Sequence, residues 1–118
     1  MDPKLTRKIY NYFDGNGNKY IISNEVIEYI PVKPDISSSG VYNGGDYTKK
    51  DISEIQYKKL AKSLNIAIKN KKSHIRNRVK KSGLIVIQEK NKEKVYILSP
   101  DSEELSKIEN LLKNLISN

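Results

Sequence analysis

Apolar residues recur at helical spacing in three stretches and alternate in several others. Asp2-Pro3 reads as a helix start, an N-cap followed by a first-turn proline, and Leu5, Ile9, Tyr12 and Phe13 continue it at helical spacing. Asp14-Gly15-Asn16-Gly17-Asn18 stops it. Tyr20–Ser23 and Val26–Val32 are rich in β-branched and aromatic residues, which predicts a hairpin. Pro31 and Pro34 then favour extended chain. Tyr47–Asp51 reads as a short returning strand.

Asp51-x-x-Glu54 and Ser53-x-x-Gln56 are overlapping capping boxes that open a long central helix. Its apolar stripe is Tyr57, Leu60, Leu64, Ala67, Ile68, Ile75 and Val79. Lys71 and Arg78 fall on the same face, so either they snorkel or the helix breaks near Asn70. Ser82-Gly83 ends it. Leu84–Gln88 and Lys94–Leu98 predict a second hairpin, and Ser99-Pro100-Asp101 starts a last helix. That helix carries Leu105, Ile108, Leu111, Leu112, Leu115 and Ile116 on one face.

The expected fold is α+β in a single domain over residues 1–118. It has a small, mostly antiparallel sheet, a short N-terminal helix, and the central and C-terminal helices on one face. The expected core is Leu60, Leu64, Ile68, Ile85, Ile87, Val95, Ile97, Leu105, Ile108, Leu112 and Leu115.

Charge sharpens this picture. The net charge is +8, yet residues 55–88 hold 10 basic residues and no Asp or Glu. The rest of the chain has 12 basic and 14 acidic residues. All the excess positive charge is therefore one local feature, suited to nucleic acid, anionic membrane or an acidic protein. On an unbroken helix Lys58, Lys62, Lys69, Arg76 and Lys80 lie within about 40° of one another. Such a row could track a phosphate backbone, with Arg76 and Arg78 gripping a phosphate.

A second candidate is the loop Ser37, Ser38, Ser39, Gly40, Tyr42, Gly44 and Gly45. Glycine permits positive φ, while serine hydroxyls and Tyr42 supply adaptable contacts of the kind binding loops use. No Gly-Lys-Ser/Thr follows, so it is not a Walker-type phosphate loop.

A third lies at Asp14–Glu25, DGNGNKYIISNE, which resembles an EF-hand calcium loop. Asp14, Asn16 and Asn18 stand at the first, third and fifth positions and Glu25 at the twelfth. The resemblance implies helices on both sides, through Tyr10 and Phe13 before and Val26, Tyr29 and Ile30 after. It departs at Lys19, where glycine normally turns the chain, and at Ile22, which cannot ligate. No cofactor is expected, Ca2+ included.

From Val26 onward the order is strand, Ser-Gly loop, strand, helix, hairpin, helix. With Ser39-Gly40 and Gly44-Gly45 this resembles the small metallopeptidase inhibitors of the emfourin type. It implies binding of a protein partner through a loop.

His74 is the only histidine and there is no cysteine, which excludes multi-histidine metal sites, disulfides and thiol nucleophiles. Ser37–Ser39, His74 and Asp46 lack the strand–nucleophile–helix setting of a catalytic serine. No apolar run nears the roughly 20 residues that span a bilayer, and the N-terminus lacks a signal-peptide core. The expectation is a cytoplasmic, non-catalytic binding module that engages a protein partner through residues 37–45. The alternatives are polyanion binding through residues 58–81 and a peptidase-inhibitor-like role.

Overall fold

The computed structural model describes residues 9–32, 35–37, 40–42, 45–89 and 92–117. The fold is α+β. Its strands are β1 (Tyr10–Phe13), β2 (Lys19–Ile22), β3 (Val26–Ile30), β4 (Asp35–Ser37), β5 (Gly40–Tyr42) and β6 (Thr48–Asp51), followed by helix α1 (Glu54–Lys69). A 3-10 turn at Lys71–Ser73 leads to β7 (Gly83–Glu89), β8 (Lys92–Leu98) and helix α2 (Glu103–Ser117). Six strands form one antiparallel sheet in the order β6-β3-β2-β1-β7-β8. β4 and β5 form a separate two-stranded sheet.

Strand alternation decides which side chains meet the helices. Tyr10 and Tyr12 of β1 pair with Ile22 and Tyr20 of β2, which pair with Ile27 and Tyr29 of β3. On the other side they pair with Ile87 and Ile85 of β7. All these residues are buried with Tyr57, Leu60, Leu64 and Ala67 of α1 and Leu105, Ile108 and Leu112 of α2. Tyr12, Tyr20 and Tyr29 run in a row, with adjacent ring centroids 6.3 and 4.8 Å apart. Tyr10 donates to Asn65 Oδ1 of α1 at 3.1 Å, and Tyr12 donates to Glu109 Oε2 of α2 at 2.7 Å. Both helices therefore lie on one face of the sheet.

Three expectations need correction. The predicted N-terminal helix fails at its end, because Tyr10–Phe13 is a strand. Its tyrosines gain two neighbouring strands and a helix-covered face, which outweighs a helical spacing carried by few apolar positions. The remainder of that predicted helix, residues 1–8, lies outside the described residues.

The long central helix stops at Lys69, so the basic helix over residues 58–81 does not exist as one element. Its start is as expected: Ser53 Oγ accepts from Gln56 N–H at 3.1 Å and Gln56 Oε1 accepts from Ser53 N–H at 2.8 Å. Its end is set by a polar clamp. Asn70 Nδ2 donates to Glu104 Oε1 at 3.1 Å, and the buried Ser73 hydroxyl donates to Glu104 Oε2. His74 Nε2–H donates to the Ala67 carbonyl at 2.8 Å, capping the last turn, and its ring packs 5.6 Å from Tyr96. Backbone pairing of residues 73–75 with 97–99 then carries the chain along β8. These contacts end the helix where snorkelling lysines would have had to extend it.

Val95 was expected in the core and is 50% exposed. β8 turns Tyr96 and Leu98 toward the helices, so Val95 and Ile97 point the other way, opposite Val86 and Leu84.

The clamp gives a pH prediction. The Ser73 hydroxyl first, then the Asn70 amide, hold Glu104 below its ordinary value of 4.5. A lowered folded-state pKa contributes stability above the unfolded value, and that contribution is lost as pH falls through the folded one. In urea unfolding across acid pH, the stability gap between wild type and Ser73→Ala should be widest above pH 4.5 and narrow below it. A gap that stays constant into strong acid would show that Ser73 does not act through the Glu104 carboxylate.

Candidate functional site

The face of the sheet turned away from the helices is the least expected surface. On this face Asn11 pairs with Ile21 and Val86, Val86 with Val95, and Ile21 with Glu28. The next row joins Ile30, Lys19, Phe13, Leu84 and Ile97. An antiparallel sheet with one solvated face normally alternates apolar-in with polar-out. Here Phe13, Ile21, Ile30, Leu84, Val86, Val95 and Ile97 point outward on four adjacent central strands and β8. All but Val95 are at least half-buried, and Val86 is only 9% exposed. Asn11, Lys19, Glu28 and Gln88 stand among them, and Lys19 places its ammonium 5.6 Å from the Phe13 ring centroid. The edges carry lysines instead: Lys49 and Lys50 on β6, Lys92 and Lys94 on β8. Such edges discourage strand-to-strand addition.

The β4–β5 hairpin, a separate two-stranded sheet, lies in the connection from β3 to β6. The chain leaves β3 after Ile30 and enters β6 at Thr48, so the hairpin rises from the end that carries the Phe13–Leu84–Ile97 row. In the hairpin Ser37 pairs with Gly40, Ile36 with Val41 and Asp35 with Tyr42. Gly45, beyond it, has φ +97, which a side chain rarely adopts. Ser38, Ser39 and Gly44 of the predicted binding loop lie outside the described residues.

The basic residues do not form one row. Lys58, Lys62 and Lys69 are exposed on α1. Arg76 and Lys80 sit on the irregular crossover to β7. Arg78, on the same crossover, donates through Nη2 to the Asp14 carbonyl at 3.2 Å, a structural contact that ties the crossover to the β1–β2 turn.

The EF-hand-like residues are also divided. Asp14 Oδ1 accepts from the backbone N–H groups of Asn16 and Asn18 at 2.9 and 3.0 Å, and Oδ2 accepts from the Asn18 amide at 3.0 Å. Asn18 Oδ1 in turn accepts from Val32 N–H at 3.0 Å. This Asx network shapes the β1–β2 turn. Glu25 is exposed in the β2–β3 turn, with the whole of β2 between it and Asp14. Strands, not helices, flank the segment. Among the described residues no group of three or more His, Cys, Asp or Glu side chains clusters as metal ligands do.

Beside that turn lies an open cleft of about 670 Å³, walled by Asp14, Asn16, Lys81, Asp101, Glu109 and Lys113. Both acidic and basic side chains line it. Burial first and the Glu109 carboxylate second push the Tyr12 hydroxyl well above the ordinary tyrosine value. Tyr12 therefore stays protonated and donates to Glu109, a packing role.

No family model, no curated protein and no solved structure matches the chain. Among the described residues no helix is long and apolar enough to cross a membrane.

Sequence reasoning missed the outer face. A signal was present in β7, where Leu84-Ile-Val-Ile87 is apolar at every position. An uninterrupted run of this kind marks a strand with apolar neighbours on both faces.

Proposed function

We propose that this chain is a non-catalytic binding module that takes a protein partner on the outer face of its sheet, with the residue 37–45 hairpin as a flanking arm. The observation that supports the reading is the outward set Phe13, Ile21, Ile30, Leu84, Val86, Val95 and Ile97, gathered on paired strands around Asn11 and Lys19 and outside the core that the helices cover. Apolar side chains gathered on the outer side of a sheet suit protein–protein contact, with Val95 the exposed one among them. The partner's buried surface would be apolar around Lys19, and Glu28 and Lys49, toward the β6 edge, would set its rim and orientation.

Val95 provides the test, since it is half exposed and its replacement leaves the core intact. Affinity capture from the native source at low and at high salt should yield one discrete protein with wild type at both. Val95→Asp should lose it at both, because a carboxylate buried against an apolar surface is strongly disfavoured. Tyr42→Ala should weaken capture if the hairpin contributes. A protein captured equally by wild type and Val95→Asp would overturn the reading.

A further inference from the structure

The outward side of α1 carries a pattern that the sheet-face reading does not use. Its buried side is Tyr57, Leu60, Leu64 and Ala67. At about 100° per residue, Ile55, Lys58, Lys59, Lys62, Ile66 and Lys69 all fall within roughly 100° of arc on the opposite side. Ile55 is 73% exposed and Ile66 51% exposed. They stand about 16 Å apart along the axis, with lysines beside and between them. Lys71 and Lys72 extend the positive surface past the helix end, and both are exposed. Within α1 Glu54, in the first turn, is the one acidic residue, and it already lies 3.9 Å from Lys58. Among the described residues Lys59, Lys62 and Lys69 have no carboxylate partner.

We propose that this face of α1 docks on an anionic lipid surface, with the lysines in the headgroup layer and the two isoleucines dipping below it. Lysine clusters on a helix are drawn to anionic leaflets at a cost to neither partner's fold. A phosphate backbone would satisfy the lysines equally well but would leave Ile55 and Ile66 against charged, hydrated groups. A lipid interface accommodates both residue types, the arrangement interfacial helices adopt. The buried side remains packed on the sheet, so α1 presents a shallow, two-residue apolar contact and binding is reversible.

The test is flotation of the full chain with phosphatidylcholine vesicles that contain phosphatidylglycerol, against vesicles of phosphatidylcholine alone. Binding is expected to the first only and to weaken as salt rises. Each of Lys59→Gln, Lys62→Gln and Lys69→Gln should lower vesicle affinity about fivefold. The Ile55→Asp/Ile66→Asp double variant should lower it at least about tenfold. All these positions are exposed, and circular dichroism should show each variant folded. Val95→Asp, which tests the sheet face, should bind vesicles as wild type does. Absence of flotation at low salt would overturn the proposal. So would binding that survives the isoleucine changes, or duplex DNA bound with the same affinity by wild type and the isoleucine double variant, either of which would mark a plain polyanion site.

Discussion

Replacing Leu112 with Ala is expected to lower the unfolding free energy by about 2–5 kcal/mol, measured by urea unfolding at neutral pH. Leu112 is fully buried on the inner side of α2, in one cluster with Leu60 and Leu64 of α1 and Tyr12 and Ile85 of the sheet. Truncation removes apolar contacts and leaves a cavity that the surrounding elements cannot fill without moving. The sheet beneath is fixed by strand pairing, and α2 is tied to it by Tyr12 and to the end of α1 by Glu104. The site therefore has little freedom to collapse. A loss below about 1 kcal/mol would mean that α2 is not held in this position.

Gly15→Ala is the second large effect. A Cβ at residue 15 would stand 2.4 Å from Lys81 Cα and 2.9 Å from its carbonyl carbon. These are backbone atoms and cannot rotate away. The two backbones are pinned in turn: the Asp14 network fixes one, Arg78 bound to the Asp14 carbonyl and the Val79–Ser82 turn fix the other. Lys81 sits at φ 67, a conformation non-glycine residues seldom adopt, which shows how tightly the approach is set. The expected loss is about 1–3 kcal/mol or more, read in the same unfolding assay. Gly45→Ala makes a useful comparison: its added Cβ meets nothing within 4 Å, so its cost would come from φ +97 alone.

The helices and hairpins that pack on the inner face were legible because each has one clear period. α2 repeats its apolar residues at helical spacing, and Leu105, Ile108 and Leu112 are buried as that spacing requires. The capping box at Ser53 marked the start of α1. Its end was not legible, because Asn70 and Ser73 meet Glu104 more than 30 residues away, and no local pattern carries that contact. Tyr10 and Tyr12 were misassigned for the same reason: four residues are too few to display a period, and their partners in β2 and β7 decide the strand. The facing of β8 was ambiguous because Val95, Tyr96, Ile97 and Leu98 are all apolar, so either alternation is consistent with burial. Register against β7 selects Tyr96 and Leu98 for the core. The same ambiguity hid the outer face, since it was assembled from the residues the inner face did not use. The basic stretch was plain in composition. Its division between α1 and the crossover depends on the Asn70 break.

The central claim is that a protein partner covers the outer face of the sheet. Site-specific photocrosslinking in the native cell measures this directly. A benzophenone side chain placed at Val95 should yield one discrete protein adduct that the same group at Lys107, exposed on α2, does not give. No adduct at Val95, or the same diffuse set from both positions, would contradict the account.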